Sequence, residues 1–325
     1  MNHLIYKMDV LDTSSSNSSE FDYLILCSGS DNRAYQSIRT IRLDKKTKVI
    51  LVNFEERLCN KPSSDPIFEY RNLKIKNLDE INCAILSPAS MLSELEAYRF
   101  NSNTKIAIDI SCFTKPYFYY LIRLLNKRFN VQTVTVFYTE PKSYLFPKGL
   151  FTAFHSSSGS LKMIEMPGYV GRRKRDSKEK LVILLGFDAD LSKRVNEVLE
   201  PSEMVLISGF PSYSSKFKDI SLIVNESLIT GENLALDKKI QVKYARANNP
   251  FEVYNVLETI KKAQENENIF LNVAPLGTKP MALGACLFAL HNPEVRVVYP
   301  LPEKYDDKYS DKSWRTWLYA LPLEL

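Results

Sequence analysis

The chain has 325 residues, of which 45% are hydrophobic and 25% charged, and a formal net charge of +5. That balance excludes a disordered or collagen-like chain and suggests about two domains at roughly 150 residues each. The mild basic excess suits an anionic ligand but lacks the dense clustering of a nucleic-acid groove, so DNA or long-RNA binding is not expected. The five cysteines (Cys27, Cys59, Cys83, Cys112, Cys286) are odd in number and form no CxxC pair, which argues against a disulfide scaffold. The three histidines (His3, His155, His291) lie away from any cysteine cluster, so no metal is expected. No stretch reaches the ~18 apolar residues of a membrane span. The start, MNHLIYKMDVLDTSSSNSS, lacks the cationic-then-apolar order of a signal peptide. The expectation is a cytoplasmic protein with no membrane association.

In chain order, residues 1–20 read as an N-terminal extension. FDYLILCSGSDNR (Phe21 to Arg33) is an apolar strand running into a polar turn, and VILVNFEE (Val49 to Glu56) is a second strand. Continuous apolar runs of this length mark strands covered on both faces. A weaker third strand is LKIKNL, and SMLSELEAYRF (Ser90 to Phe100) has a helical pattern. The fourth strand, KIAIDIS, enters a turn at Thr114-Lys115-Pro116, after which a helix-like run leads to VQTVTVFYTEPKSY (Val131 to Tyr144). LFTAFHSSSGSLKMIEMPGY (Leu150 to Tyr169) reads as a hairpin that covers a site or tightens the join between halves, with His155 at the surface. A basic linker at residues 166–178 then separates a first domain, 21–165, from a second, 179–325. Its five basic residues between Arg172 and Lys178 read as a solvated segment.

The second half repeats the first. EKLVILLGFDADLSKR (Glu179 to Arg194), VLISGFPSYSS (Val205 to Ser215) and IQVKYARA match the first three strands. The helical PFEVYNVLETIKKAQ (Pro250 to Gln264) follows, then the strand NIFLNVAP, then Gly277-Thr278-Lys279-Pro280. A run of helix and VRVVYPLPEKY (Val295 to Tyr305) completes the unit. Both halves close on Tyr-x-x-Pro-x-x-Tyr: Tyr138, Pro141, Tyr144 and Tyr299, Pro302, Tyr305. Two ordered matches argue for a duplicated unit. The aromatic tail KYDDKYSDKSWRTWLYALPLEL reads as a segment packed on the second sheet. Alternating strands and helices predict α/β architecture: two tandem Rossmann-like domains with mainly parallel sheets, related by a pseudo-two-fold, each in strand order 3-2-1-4-5.

In that order the first and fourth strands are neighbours, and ligands of open α/β sheets bind in the crevice beyond their C-terminal ends. Both Thr-Lys-Pro turns fall there. Proline suits the first turn of a helix, and Thr114 or Thr278 is a natural N-cap. Lysine is the unusual choice, because a helix N-terminus already carries about half a positive charge. Backbone N–H groups, dipole and ammonium together favour a phosphate. The first loop of the first half adds Ser28, Gly29, Ser30, Asn32 and Arg33. That of the second half adds Asp188 and Asp190, which suit ribose hydroxyls or base amines rather than phosphate, so the halves are not expected to be equivalent. Ser111 closes the fourth strand of the first half.

At these residues the chain resembles the CRISPR-associated Rossmann-fold (CARF) superfamily. Its members carry a Ser/Thr-bearing loop after the first strand and a Gly-Thr-Lys turn after a late one. Gly277-Thr278-Lys279 matches that turn with Leu276 in place of a first glycine, Phe113-Thr114-Lys115 keeps Thr-Lys, and Ser28 and Ser30 match the loop loosely. The resemblance implies binding of a cyclic oligoadenylate between paired domains, here the two repeats, in antiviral defence. It implies no cofactor. Some members cleave the ring without metal or protein nucleophile, a ribose 2′-hydroxyl attacking its own phosphodiester. In that role Lys115, Lys279 and Ser30 would be catalytic. Ser28, Ser30, Asn32, Arg33, Ser111, Thr114, Lys115, Asp188, Gly277, Thr278 and Lys279 would hold the ligand. Neither an Arg-x4-6-His ribonuclease motif nor a PD-(D/E)xK pattern is present. This points to a sensor, a ring nuclease, or a subunit whose effector is another protein.

Two other readings stay open. One is a nucleotide- or sugar-phosphate-processing enzyme on the same scaffold, with Asp109, Asp188 or Asp190 as general base, although Asp109 sits inside a strand pattern. The other is a non-catalytic interaction protein. The absence of GxGxxG and GxxxxGK[ST] weakens a dinucleotide dehydrogenase and a P-loop NTPase.

Overall fold

The computed structural model describes residues 7–11, 20–29, 32–41, 43–54, 75–144, 157–231, 239–264, 266–305 and 310–324. The early strands are β1 (Lys7–Leu11), β2 (Tyr23–Cys27), β3 (Lys48–Phe54), β4 (Leu78–Cys83) and β5 (Ile106–Asp109). Among them lie α1 (Gln36–Thr40), entered through a 3₁₀ turn at Asn32–Tyr35, and α2 (Met91–Leu95). Next come α3 (Lys115–Lys127), β6 (Thr133–Tyr144), β7 (Ser157–Val170) and β8 (Lys178–Leu184). The chain continues through α4 (Ala189–Leu199), β9 (Glu203–Gly209), α5 (Ser215–Val224), α6 (Glu226–Ile229) and β10 (Lys239–Ala245). It ends with α7 (Pro250–Lys262), β11 (Ile269–Pro275), α8 (Lys279–His291), β12 (Arg296–Tyr305) and β13 (Ser310–Pro322).

Two compact units result, Met1–Leu145 with Asp307–Leu325, and Phe146–Asp306. The first holds a seven-stranded sheet in the order β1-β13-β6-β5-β2-β3-β4, the second a six-stranded sheet in the order β10-β9-β8-β11-β12-β7. Within each, the five strands of the repeat run parallel in the expected 3-2-1-4-5 order, β4-β3-β2-β5-β6 and β10-β9-β8-β11-β12. The protein is therefore an α/β chain of two Rossmann-like domains with mixed, mainly parallel sheets. Leu24, Ile25, Leu26 and Leu181, Val182, Ile183 are fully buried, as central strands covered on both faces require.

Three expectations change. LKIKNL is not the third strand: β4 starts only at its last residue, Leu78, which registers with Val49. An edge strand needs one covered face, and Ile81 and Cys83 supply it while the residues between stay wetter. The helix read over 90–100 is helical only from Met91 to Leu95. Tyr98 and Phe100 turn back to meet the Tyr23 ring edge-on at 6.0 and 4.9 Å, which ends the helix in favour of aromatic packing. The C-terminal tail belongs to the first sheet, not the second. β6 is the last parallel strand of the first sheet, and its edge away from β5 needs a partner from Thr133 to Tyr144. β13 fills it antiparallel, from Ser310↔Tyr144 to Pro322↔Thr133, and its alternating Trp317, Tyr319 and Leu321 form one buried face.

β12 meets β7 in the same antiparallel way, Tyr305 opposite Ser157. Both Tyr-x-x-Pro-x-x-Tyr segments thus lie within strands that outrun their parallel neighbours, rather than in turns. The remainder of the expected hairpin, residues 150–156 with His155, lies outside the described residues. In the basic segment, Arg173 pairs with Glu179 at 3.0 Å and Arg175 with Asp176 at 3.7 Å, all but Glu179 well exposed. No helix among the described residues is long and apolar enough to cross a membrane.

On the β6–β13 face one carboxyl is buried. Glu140 is 2% exposed and accepts from Trp317 Nε1 at 3.1 Å. Burial pushes its pKa up, opposed by that hydrogen bond and by the Arg315 charge. Burial also pushes the Tyr319 hydroxyl well up, helped by Tyr138 and Glu140. With the folded pKa of Glu140 above the unfolded one, the folded state holds the extra proton in the interval between them. Stability from this group is therefore lost as pH rises from the ordinary glutamate range through the raised value. Glu140→Gln keeps an acceptor for Trp317 and removes the charge. It should be at least as stable as the wild type at pH 7, with a flatter pH dependence between pH 4 and 7, read by urea unfolding across that range.

Candidate functional site

Sequence and topology bring the candidates together at the C-terminal ends of the central strands, separately in each unit. In the first unit, β2 and β5 are adjacent and register Leu26 with Asp109. Ser28 and Ser111 therefore emerge at the same level, 5% and 1% exposed. Asp109 is 2% exposed, and its Oδ1 accepts the Ser111 N–H at 2.8 Å. Its carboxylate shapes the turn, which favours the structural role over that of a general base. Ser111 Oγ accepts the Thr139 N–H at 2.8 Å, and Arg33 Nη1 donates to the Thr139 carbonyl at 3.5 Å. Arg33 and Ser111 thus both hold the backbone of Thr139 in β6. Arg33, 2% exposed, is a buried cation rather than a surface one. Ser30 lies outside the described residues. Asn32 opens the 3₁₀ turn that carries Arg33 inward.

The helix after β5 opens on this level. Thr114 is the N-cap of α3, Lys115 its first residue and Pro116 its second. The proline fits because its missing N–H lies where no intrahelical partner exists. Below it, Tyr117, Phe118, Leu121, Ile122 and Leu125 anchor the helix on the sheet. The hydroxyl of Thr114 does not cap: it makes no bond to the first turn, and its buried Oγ1 has no hydrogen-bond partner.

In the second unit β8 and β11 are adjacent and register Leu184 with Pro275. Gly186, Phe187 and Asp188 follow one strand, Leu276, Gly277 and Thr278 the other. A Cβ on Gly186 would lie 2.4 Å from the Leu276 carbonyl oxygen, so the two loops touch through their backbones. The Gly186 carbonyl accepts from Asn225 Nδ2 at 3.0 Å and Ser221 Oγ at 3.2 Å. Thr278 caps α8, its Oγ1 accepting the Met281 N–H at 3.3 Å and donating to the Ala247 carbonyl at 2.5 Å. Tyr213 also donates to Ala247 O, at 3.2 Å, and the Ala247 N–H reaches Pro211 O at 3.0 Å. Lys279 and Pro280 open the helix as Lys115 and Pro116 do. Asp188, 6% exposed, is the N-cap of α4, while Asp190 points outward from its first turn.

Sequence reasoning missed Thr139 and Ala247, which act through backbone atoms. No side-chain pattern advertises such a role; only strand register reveals it. It also missed the roles of Ser221 and Asn225 behind Gly186. Among the described residues no group of histidine, cysteine, aspartate or glutamate could hold a metal ion.

No family model matches the chain, and no curated protein matches it. Among solved structures it superposes on a Type III CRISPR defence DNA nuclease activated by cyclic oligoadenylate, at 9% identity and a TM-score of 0.49. The match covers 86% of this chain and 65% of that one, so the chain spans about two thirds of that protein's length.

Proposed function

We propose that this protein binds a nucleotide-type polyanion, a cyclic oligoadenylate, at the crevice loops of its Rossmann-like units, and acts as a sensor or ring nuclease in antiviral defence. One observation carries the reading. Each unit sets a helix that opens Thr-Lys-Pro at the switch point of its parallel sheet. The helix dipole and an ammonium converge there, and both favour phosphate. The sequence resemblance to CARF domains supports the ligand class.

Phosphate binding would fall to Lys115 and Lys279, with Ser28, Arg33, Ser111 and Thr114 shaping the first crevice and Gly277 the second. If the ring is cleaved, the chemistry is intramolecular. The 2′-hydroxyl oxygen attacks the adjacent phosphorus, the bond to the neighbouring 5′-oxygen breaks, and a 2′,3′-cyclic phosphate and a free 5′-hydroxyl result. The protein's part is to hold attack and departure in line and to stabilise charge on the phosphoryl oxygens. A lysine ammonium placed on those oxygens would do the second.

The test is a thermal-shift screen of the full chain with cyclic tri-, tetra- and hexa-adenylate, ATP and NAD. At a hundred times its Kd a ligand adds about 2.7 kcal/mol, several degrees in melting temperature. One ring size should give that shift, and the Lys115→Ala, Lys279→Ala double variant should abolish it. Chromatography after long incubation then separates sensing from cleavage. A wild-type protein that none of the cyclic compounds shifts would refute the proposal.

A further inference from the structure

Resting on that reading of the crevices as anion sites, we infer that the two helix starts have divided their labour. The α3 start in the first unit takes the ligand's phosphate on its N-cap hydroxyl as well as on Lys115, whereas the N-cap hydroxyl of α8 in the second is engaged by the protein's own groups and leaves phosphate to Lys279. The two begin alike. Both helices run for 13 residues, both open Lys-Pro, and both N-cap threonines have extended backbones, φ −70° ψ 155° at Thr114 and φ −60° ψ 160° at Thr278.

Their hydroxyls differ. Thr278 Oγ1 uses both its capacities, accepting from Met281 N–H and donating to Ala247 O. Thr114 Oγ1 uses neither, although Thr114 is only 7% exposed. A buried hydroxyl without a partner is costly, so its retention asks for a group that completes it. A phosphoryl oxygen at the helix start would accept from that hydroxyl in the favourable field of the helix dipole.

The surroundings divide the same way. The first unit's loop after β2 brings in Arg33, a buried cation. The second unit's loop after β8 brings in Asp188, whose carboxylate repels an anion. The Gly186 backbone also touches Leu276, and its carbonyl is taken by Asn225 and Ser221. Ala247, held by Tyr213 and Thr278, ties the loop after β10 to the α8 cap. The second crevice is therefore tied together by internal hydrogen bonds where the first has a donor to spare.

Thr114→Val and Thr278→Val in the full chain separate the two roles, because valine replaces a hydroxyl by a methyl of similar size. Each variant is melted without ligand and then titrated with cyclic tetra-adenylate and, separately, with pyrophosphate. Thr114→Val is expected to melt no lower than wild type, and up to several degrees higher, and to bind at least tenfold more weakly. Thr114→Ser should recover most of that loss. Thr278→Val is expected to melt several degrees lower, having lost a cap and a loop tie, while affinity falls less than threefold. Equal weakening by the two valines, or wild-type binding by Thr114→Val, would overturn the inference. Binding of pyrophosphate with this contrast, but of no cyclic oligoadenylate, would refute the ring ligand and uphold the division of labour. A wild-type protein that binds neither probe would overturn both.

Discussion

A chain ended after residue 305 is expected to lose the fold of the first unit and keep that of the second. β13 is the pairing partner of β6 along most of its length and of β1 throughout. The segment from β13 onward buries Trp317, Tyr319, Leu321 and Leu323, each at most 8% exposed. Full burial of such a side chain contributes about 1.5–3 kcal/mol. Together they approach the whole stability of an ordinary domain, about 5–15 kcal/mol. Loss of β13 also opens an unpaired edge on β6 and removes the Trp317 N–H that donates to the buried Glu140. Every strand of the second sheet, by contrast, lies between Ser157 and Tyr305. Hydrogen exchange read by mass spectrometry should show fast exchange in β2, β3, β5 and β6 of the shortened chain. Protection in β8, β9 and β11 should match the full chain. Retained protection in β5 and β6 would show that β13 is dispensable.

Gly284→Ala is expected to destabilise the second unit by about 2–3 kcal/mol or more, through overpacking. A Cβ there would sit 2.1 Å from the Pro250 carbonyl oxygen, 2.9 Å from its carbonyl carbon and 3.0 Å from Val253 Cβ. Two of the three obstacles are backbone of α7, held by its own cap, where Asn249 Oδ1 accepts the N–H groups of Phe251 and Glu252. No rotamer change can make room, so α8 must move away from α7, and α8 carries Thr278 and Lys279 at its head. Circular dichroism melting should show a fall of several degrees in the second unit's transition. A variant that melts like the wild type would mean the helices separate without loss. On ordinary helix propensity alone the same change would be stabilising, so the sign is decisive.

The sheet order, the duplication and the two Thr-Lys-Pro helix starts were legible because each rests on local chemistry. Continuous apolar runs such as YLILC and LVIL admit only a strand covered on both faces, and proline after threonine and lysine admits only a helix entrance. MALGACLFAL, apolar all round, is the buried helix such a pattern implies. The tail was misplaced for a physical reason. The alternation in WLYALP marks a strand with one covered face, but nothing in those residues says which open edge it fills. Contiguity in sequence pointed to the second sheet, but β7 fills the outer edge of β12, and the tail pairs with the outer edge of β6 instead. The short α2 was likewise beyond reach, since its end depends on rings at Tyr23, Tyr98 and Phe100 that meet only in the fold.

At the candidate site, sequence alone determined which residue types stand at the switch points: hydroxyls, lysines, Arg33 in one half and Asp188 in the other. These follow from strand order, which local hydrophobic patterning encodes. Only the tertiary structure decided how each group is used. Two threonines in the same local sequence and backbone conformation differ because Ala247 comes within reach of one hydroxyl, whereas the other has no partner. A hydrogen bond depends on what a distant loop places within about 3 Å, and that distance is a property of the folded chain rather than of any stretch of it.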